Sequence, residues 1–355
     1  MKKNAVQVLV VDYFQQFIRA TISGKRLTAA GKKMSTGTIK NYEYVQKMLL
    51  EFEAKKQISL RVQLLNRASL KTFQKEKNYW KRFYLQFSNF LYREKGYYDN
   101  YAGGIFKILK TFFNYLRYEK GLSVGNYYKT FKTPQQVLAP VVLEPAQLQF
   151  LISNKAFEAS LCPCLARAKD IFVFGCTIAL RVSDLMKLEK KHLSYNGAEV
   201  YLKIFTQKTS TAVKIPLPDY AIKIIEKYKY KAGKYILPRL ANTNLNIQVK
   251  KLVKKAGWTD TLIKVMSRQG KIQELKNANG KSWQFYQHIT AHTMRRTAIT
   301  TLLIMGVPEL VVRKISGHTP GSKEFYRYVA IAQDYISKAV KIAYIKLIET
   351  DFQES

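Results

Sequence analysis

The chain has 355 residues, 47% of them hydrophobic, and sets 60 Lys and Arg against 24 Asp and Glu for a formal net charge of +36. That length accommodates two domains with separate cores, and the apolar content with dispersed charge excludes a disordered chain. Positive charge of this size in both halves calls for a polyanionic partner, nucleic acid ahead of a membrane surface.

No apolar run reaches about eighteen uncharged residues, so no transmembrane helix is expected. The opening stretch from Met1 to Asp12 mimics a signal peptide only briefly: its apolar part is short, ends at Asp12 and lacks a small-residue cleavage site. Cys162, Cys164 and Cys176 are too few and too clustered for a disulfide framework. Four histidines give no zinc set at ordinary spacing, so no metal is expected. The expected compartment is the cytoplasm.

Residues 1–131 read as an all-helical domain. Behind a Ser/Thr cap at Ser35, Ile39, Tyr42, Val45, Leu49 and Phe52 fall at helical spacing. A second pattern runs through Phe83, Phe87, Phe90 and Leu91 to a stop at Gly96, and a third through Ile105, Ile108, Leu109, Phe112 and Leu116 to Gly121. Lys81, Arg82, Arg93, Lys107, Lys110 and Arg117 lie on the outer faces. Each alone is a solvated charge; together, Lys81, Arg82, Lys107, Lys110 and Arg117 are candidate contacts to a phosphate backbone.

Periodicity lapses over 132–144, where two prolines and few charges predict a linker. Glu144-Pro145 opens a new helix with proline in the favoured first turn, and 145–355 reads as a second domain. It is mainly helical with one strand pair, Val200–Phe205 and Thr211–Pro216, joined by a turn over Gln207–Ser210. Pro218-Asp219 opens the next helix. Cys162-Pro-Cys164 does not match Cys-x-x-Cys spacing and reads as a helix-start turn. Val307–Gly317 mimics half of a helix-turn-helix, but Leu310, Val311 and Ile315 predict a buried helix rather than one lying in a DNA groove. From Ala330 to Glu349, Ile336, Val340, Ala343 and Leu347 form one stripe of an amphipathic helix, read from the pattern as packing on its own domain. The fold class expected is mainly α with a small β-hairpin or sheet.

Four separated segments carry the chemistry. An apolar run ends in Ala179-Leu180-Arg181-Val182-Ser183-Asp184-Leu185; alone, its arginine would simply cap or snorkel. Lys208 sits on the tip of the strand pair, where a lysine is normally just solvated. His292 and Arg295, in Thr290-Ala-His-Thr-Met-Arg295-Arg296-Thr297, are three apart and share a helix face. His318 follows a glycine helix stop in Ser316-Gly317-His318, ahead of Phe325-Tyr326-Arg327-Tyr328. Phosphodiester cleavage needs a nucleophile, neutralisation of a dianionic phosphorane and a proton for the leaving 5′ oxygen. Arginine suits the phosphorane because its planar fork donates paired hydrogen bonds and stays charged; lysine, with a more tunable pKa, suits the acid. A tyrosine, with an ordinary pKa near 10, needs a base or a strongly positive site to attack.

In this order the motifs resemble those of the tyrosine recombinases, the phage-integrase family, densest from Phe172 to Tyr328. The resemblance implies an N-terminal helical, SAM-like core-binding domain and a mixed α/β catalytic domain that close around duplex DNA. It implies that Arg181 and Arg295 hold the scissile phosphate, that Asp184 orients or buffers the arginines, and that Lys208 is the mobile acid. His292 would contact phosphate and assist the tyrosine's proton, and His318 would hydrogen-bond phosphate or shuttle a proton. The nucleophile usual in the family falls nine residues after the second histidine, which here is Arg327. A one-residue insertion over 319–324 moves it to Tyr328, whose Phe325-x-x-Tyr328-Val setting fits; Tyr326 is the alternative. The resemblance further implies a 3′-phosphotyrosyl intermediate, no nucleotide or metal cofactor, a homotetramer on two DNA sites, and a C-terminal helix exchanged between protomers. The N-terminal half resembles integrases of Bacteroides-type mobile elements. Accessory DNA-bending proteins stay open, as does the choice among integration, excision, inversion and chromosome resolution. Two other readings remain at this point: a type IB topoisomerase-like relaxing enzyme, and a non-catalytic DNA-binding regulator on the same fold.

Overall fold

The computed structural model describes residues 7–66, 68–205, 212–319 and 321–350. In chain order the elements are β1 (Gln7–Leu9), α1 (Val10–Ile22), α2 (Thr36–Lys56), β2 (Arg61–Gln63), α3 (Leu70–Asn89), α4 (Asp99–Asn114), α5 (Pro145–Ser153), α6 (Lys155–Ala159), α7 (Pro163–Ile178) and α8 (Val182–Leu185). There follow β3 (Leu193–Asn196), β4 (Glu199–Phe205), β5 (Ala212–Pro216), α9 (Asp219–Lys227), α10 (Asn242–Lys255), β6 (Val265–Arg268), β7 (Lys271–Glu274), α11 (Phe285–His288), α12 (Ala291–Ile304), α13 (Glu309–Ser316) and α14 (Lys323–Thr350). They form two compact units: Met1–Val137 with Lys264–Leu275, and Leu138–Ile263 with Lys276–Ser355. Among the described residues no helix is long and apolar enough to cross a membrane.

In the first unit, the Ser35 and Ser69 hydroxyls accept from the backbone N–H groups of Thr38 and Thr72, which starts α2 and α3. Each of α3 and α4 is prolonged by a π-helical turn, Phe90–Glu94 and Tyr115–Glu119, closed by Lys95 N–H to Phe90 O and Lys120 N–H to Tyr115 O, both 3.0 Å. Gly96 and Gly121, at φ +67° and +65°, then reverse the chain. Phe14, Phe17, Phe52, Trp80, Phe87, Phe112 and Phe113 fill the core, each contributing about 1.5–3 kcal/mol by leaving water. The short apolar stretch before Asp12 runs into α1, whose Val10, Phe14, Phe17 and Ile18 are buried.

This unit is completed by a hairpin from far along the chain. β6 and β7 pair antiparallel, Ser267 opposite Ile272, and their turn closes on Asp99 in the first turn of α4. The Asp99 carboxylate accepts from the Ser267 hydroxyl, from Gln269 N–H (2.8 Å) and Gly270 N–H (3.0 Å), and from Tyr92 Oη (2.8 Å). Ser267 N–H donates to the Gln136 side chain at 2.7 Å, and Arg268 donates to Gly96 O at 2.7 Å while its guanidinium lies 4.7 Å from the Tyr98 ring. Residues 264–275 therefore pack with the first unit, although sequence order alone groups them with 145–355. Nothing in the local pattern signals a partner some 170 residues away.

In the second unit, β3, β4 and β5 form an antiparallel sheet in that order, so the expected strand pair gains a third strand. Pro145 occupies the first turn of α5, and Thr290 caps α12. The helix α7 carries a nearly continuous buried run from Ala168 to Cys176 and packs on α12. Gly175 faces Met294 so closely that a Cβ there would overlap the thioether. One expectation needs correction. In α13, Val312 and Ser316 are buried and Ile315 half-buried, but Leu310 and Val311 are 79% and 44% exposed. A helix this short buries one face, and its consecutive apolar residues cannot share it. The amphipathic C-terminal segment starts earlier, as α14 from Lys323, and its stripe is not covered: Ile336, Val340, Ala343 and Leu347 are all exposed.

Candidate active site

The second unit gathers its site where α7, α8, α12, α13 and the start of α14 meet. At the end of α7 the chain turns through Ala179, a fully buried non-glycine residue in the left-handed region at φ +55°. Such a conformation costs about 1 kcal/mol or more. It ends α7 abruptly, points the Ala179 carbonyl at α12, and returns the chain to extended geometry at Arg181, the N-cap of α8. Arg295, 2% exposed on α12, donates from Nη1 to that carbonyl at 2.9 Å. Its Nη2 lies 3.1 Å from Nε2 and 3.3 Å from Nδ1 of His318.

The left-handed Gly317 that ends α13 places His318 back over its own helix. The Ser316 hydroxyl has one proton and donates it to Val312 O at 2.7 Å, so its oxygen accepts from His318 Nδ1–H at 2.7 Å. This assigns the neutral tautomer with Nε2 as acceptor for Arg295. Burial, followed by the charges of Arg295, Arg181 and Arg313, pushes the His318 pKa down to about 3. Burial and then Arg181 push Arg295 down to about 10, while Tyr328 and Asp184 act in the opposite direction. Arg181 is half-buried, and its Nη1 is buried with no hydrogen-bond partner among the described residues. Like charges gathered out of water with donor capacity unspent make a pre-formed anion site.

Tyr328 is 6% exposed in the first turns of α14, in an apolar cluster with Ala179, Ala298, Ile299, Val312 and Phe325. Its ring centroid is 6.0 Å from that of His318. Tyr326 is 53% exposed outside that cluster, its ring 4.8 Å from the Arg313 guanidinium. Arg313, unremarked in the sequence, also lies 4.2 Å from the Phe325 ring and is held by Glu309 at 2.8 Å, so it props the start of α14. Asp184 is buried near the arginines, and His292 is exposed one turn before Arg295. The structure thus brings Arg181, Asp184, Arg295, His318 and Tyr328 together. Lys208 lies outside the described residues. On the strands themselves, exposed Lys203 is the register partner of Lys214, which sits 3.9 Å from the Tyr201 ring.

In the first unit, Lys81 and Arg82 are exposed and line a groove of about 820 Å³ with Arg61, Lys75 and Tyr79. Lys107 is exposed on α4. Lys110, half-buried, donates to Lys129 O at 3.0 Å, and half-buried Arg117 donates to Asn126, so one donor of each is used within the fold.

The profile of the Phage integrase family matches residues 143–334. No curated protein sequence matches the chain. Among solved structures, XerH site-specific recombinase bound to palindromic difH substrate aligns with a TM-score of 0.62 at 12% identity, covering 94% of this chain and 96% of that one. A lambda integrase dimer bound to a COC′ core site aligns at 0.56 and 16% identity, covering 91% and 77%. The Tn1549 transposon integrase with transposon right end DNA aligns at 0.55 and 14%, covering 90% and 94%. At these identities the alignments establish a shared fold. With more than half of its length matched by the family profile, the chain belongs to the phage integrase family.

Proposed function

We propose that this chain is a site-specific tyrosine recombinase that cuts and rejoins duplex DNA through a 3′-phosphotyrosyl intermediate. The observation that carries the reading is the buried cationic cluster in which Arg295 meets neutral His318 beside Tyr328, with an Arg181 nitrogen unpartnered among the described residues. A scissile phosphate entering it would receive two guanidinium forks, and the charge that develops in the phosphorane would meet donors already in place. The Tyr328 oxygen attacks phosphorus and the bond to the 5′ oxygen breaks; the phenolic proton leaves with help from His292, and Lys208 protonates the leaving oxygen. A 5′ hydroxyl from the partner strand then reverses the step. The phosphotyrosyl bond conserves the energy of the phosphodiester, so neither nucleotide nor metal is called for. The anionic phosphate would also relieve the cationic repulsion on His318, so DNA binding raises its pKa.

In this reading residues 1–131 with the hairpin 264–275 grip duplex DNA, 132–144 link, and the rest of 145–355 carries the chemistry, all in the cytoplasm. Lambda integrase has been captured as a tetramer on a Holliday junction. The uncovered stripe of α14 supports assembly here too, with Ile336, Val340 and Leu347 seated on a neighbouring protomer of a tetramer. Integration, excision or inversion of a mobile DNA element is the biological outcome proposed. The test is a plasmid carrying two copies of the DNA flanking the gene, incubated in EDTA. Recombinant circles from the wild type and none from Tyr328→Phe are expected. Relaxation without exchange would replace the reading with a topoisomerase, and tight binding without either reaction would replace it with a regulator.

A further inference from the structure

We infer that Cys162 and Cys164 form a reversible dithiol site that reacts with anionic low-molecular-weight disulfides and closes to an intramolecular disulfide. Both thiols are exposed, and their sulfurs lie 2.9 Å apart at the start of α7. That is less than about 1 Å from bonding distance. Cys162 is the N-cap of α7, a position for which sulfur is a weak acceptor. Pro163 at the first helical position holds the two side chains on the same turn.

The pair is asymmetric. The hydrogen bond from Cys164, followed by the Leu165 N–H, pulls Cys162 below the usual thiol range, and the same bond raises Cys164. Cys162, at the N-cap where the free N–H groups of α7 favour a thiolate, is the attacking thiol and Cys164 the resolving one. On the Cys164 side of the pair a cavity of about 440 Å³ is lined by Cys164, Arg167, Lys227 and Lys231. Lys227 is committed to Asp170 at 2.7 Å, but the Arg167 Nε is buried with no partner among the described residues. This basic wall selects a reagent that carries carboxylates.

The chemistry balances with the disulfide as the two-electron oxidant. Cys162 attacks it, forming a mixed disulfide and expelling one thiolate; Cys164 loses its proton and attacks the Cys162 sulfur, expelling the second. The products are one protein disulfide and two small thiols. Cys176, fully buried with its thiol pushed well above the usual range by desolvation, serves as the internal control.

The test equilibrates the full chain with oxidised glutathione, quenches with acid, alkylates, and reads intact mass and peptides. Cys162 and Cys164 should disappear together without retained glutathione, leaving Cys176 free. Cys164→Ser should trap glutathione on Cys162, and Cys162→Ser should react on the order of tenfold more slowly. Arg167→Glu with Lys231→Glu should slow glutathione disulfide but not the neutral hydroxyethyl disulfide. Stable mixed disulfides on the wild type, equal rates for the two serine variants, or thiols that stay reduced would each overturn the inference.

Discussion

Two buried sets of charge, one in each unit, are treated in opposite ways. Asp99 is 3% exposed and receives four hydrogen bonds, from Tyr92, Ser267, Gln269 and Gly270. Burial alone would raise its pKa, but these donors together hold it below the usual carboxylate value. Arg295 is equally buried, but burial and the charge of Arg181 lower its pKa against the opposing pull of Tyr328 and Asp184, and burial with the arginine charges lowers that of His318 beside it. A buried charge that is fully paired costs little and fixes structure. One surrounded by its own sign is unfavourable until an anion arrives. The first pattern marks a joint in the fold, and the second marks chemistry.

Removing each set should break the molecule differently. The largest effect is expected from Arg295→Ala and Arg181→Ala. Each should lower the rate of strand cleavage by about 10²-fold or more, as for loss of a transition-state donor, measured as covalent adduct formed per minute on nicked duplexes. Arg181→Gln should lose cleavage without losing stability, because it relieves repulsion; a large fall in its urea midpoint would contradict the cluster as described. Asp99→Ala should do the reverse. Stranding the four donors should cost about 3 kcal/mol in urea unfolding, with the hairpin Lys264–Leu275 losing hydrogen-exchange protection while cleavage per folded molecule persists.

Acid should act on both sets in the same direction but over different windows. The folded pKa of His318, about 3, lies below its ordinary value of about 6.5. Between those values the unfolded chain binds more protons, so the His318 contribution is complete above about pH 6.5 and lost as pH falls towards 3. The Asp99 contribution is present above the ordinary carboxylate pKa and lost as pH falls through its lower folded value. Urea midpoints against pH should therefore flatten between about pH 6.5 and 4 in His318→Asn, and only at more acid pH in Asp99→Asn. The smallest effect belongs to the exposed cations. Lys81→Ala or Arg82→Ala should reduce the salt slope of DNA binding by about one each, whereas Lys110→Ala, already bonded to Lys129 O, should change it less.

What could be read from the sequence follows the same division. Arg181, His292, Arg295, His318 and the tyrosine pair stand in short windows whose residue types already state the chemistry, and helices ending at Gly96 and Gly121 announce themselves by period and stop. The Asp99 joint is invisible in the sequence because its donors come from a hairpin about 170 residues later. Ala179 is equally hidden, since no side chain marks an alanine held at positive φ, and the Arg295 bond to its carbonyl comes from more than a hundred residues away. Ser316 looks like a helix-end residue until its hydroxyl is traced to His318. In α13, three adjacent apolar residues gave no periodic cue to which of them is buried.

The most direct measurement maps the covalent link. Wild-type protein would be trapped on a nicked duplex of flanking DNA, the DNA trimmed by nuclease, and the protein digested with trypsin. Arg327 separates Tyr326 from Tyr328, so the two fall on different peptides. A nucleotide remnant on the peptide that begins at Tyr328 is the predicted result. A remnant on the peptide ending at Arg327, or none on either, would contradict the assignment of the buried tyrosine beside His318 as the nucleophile.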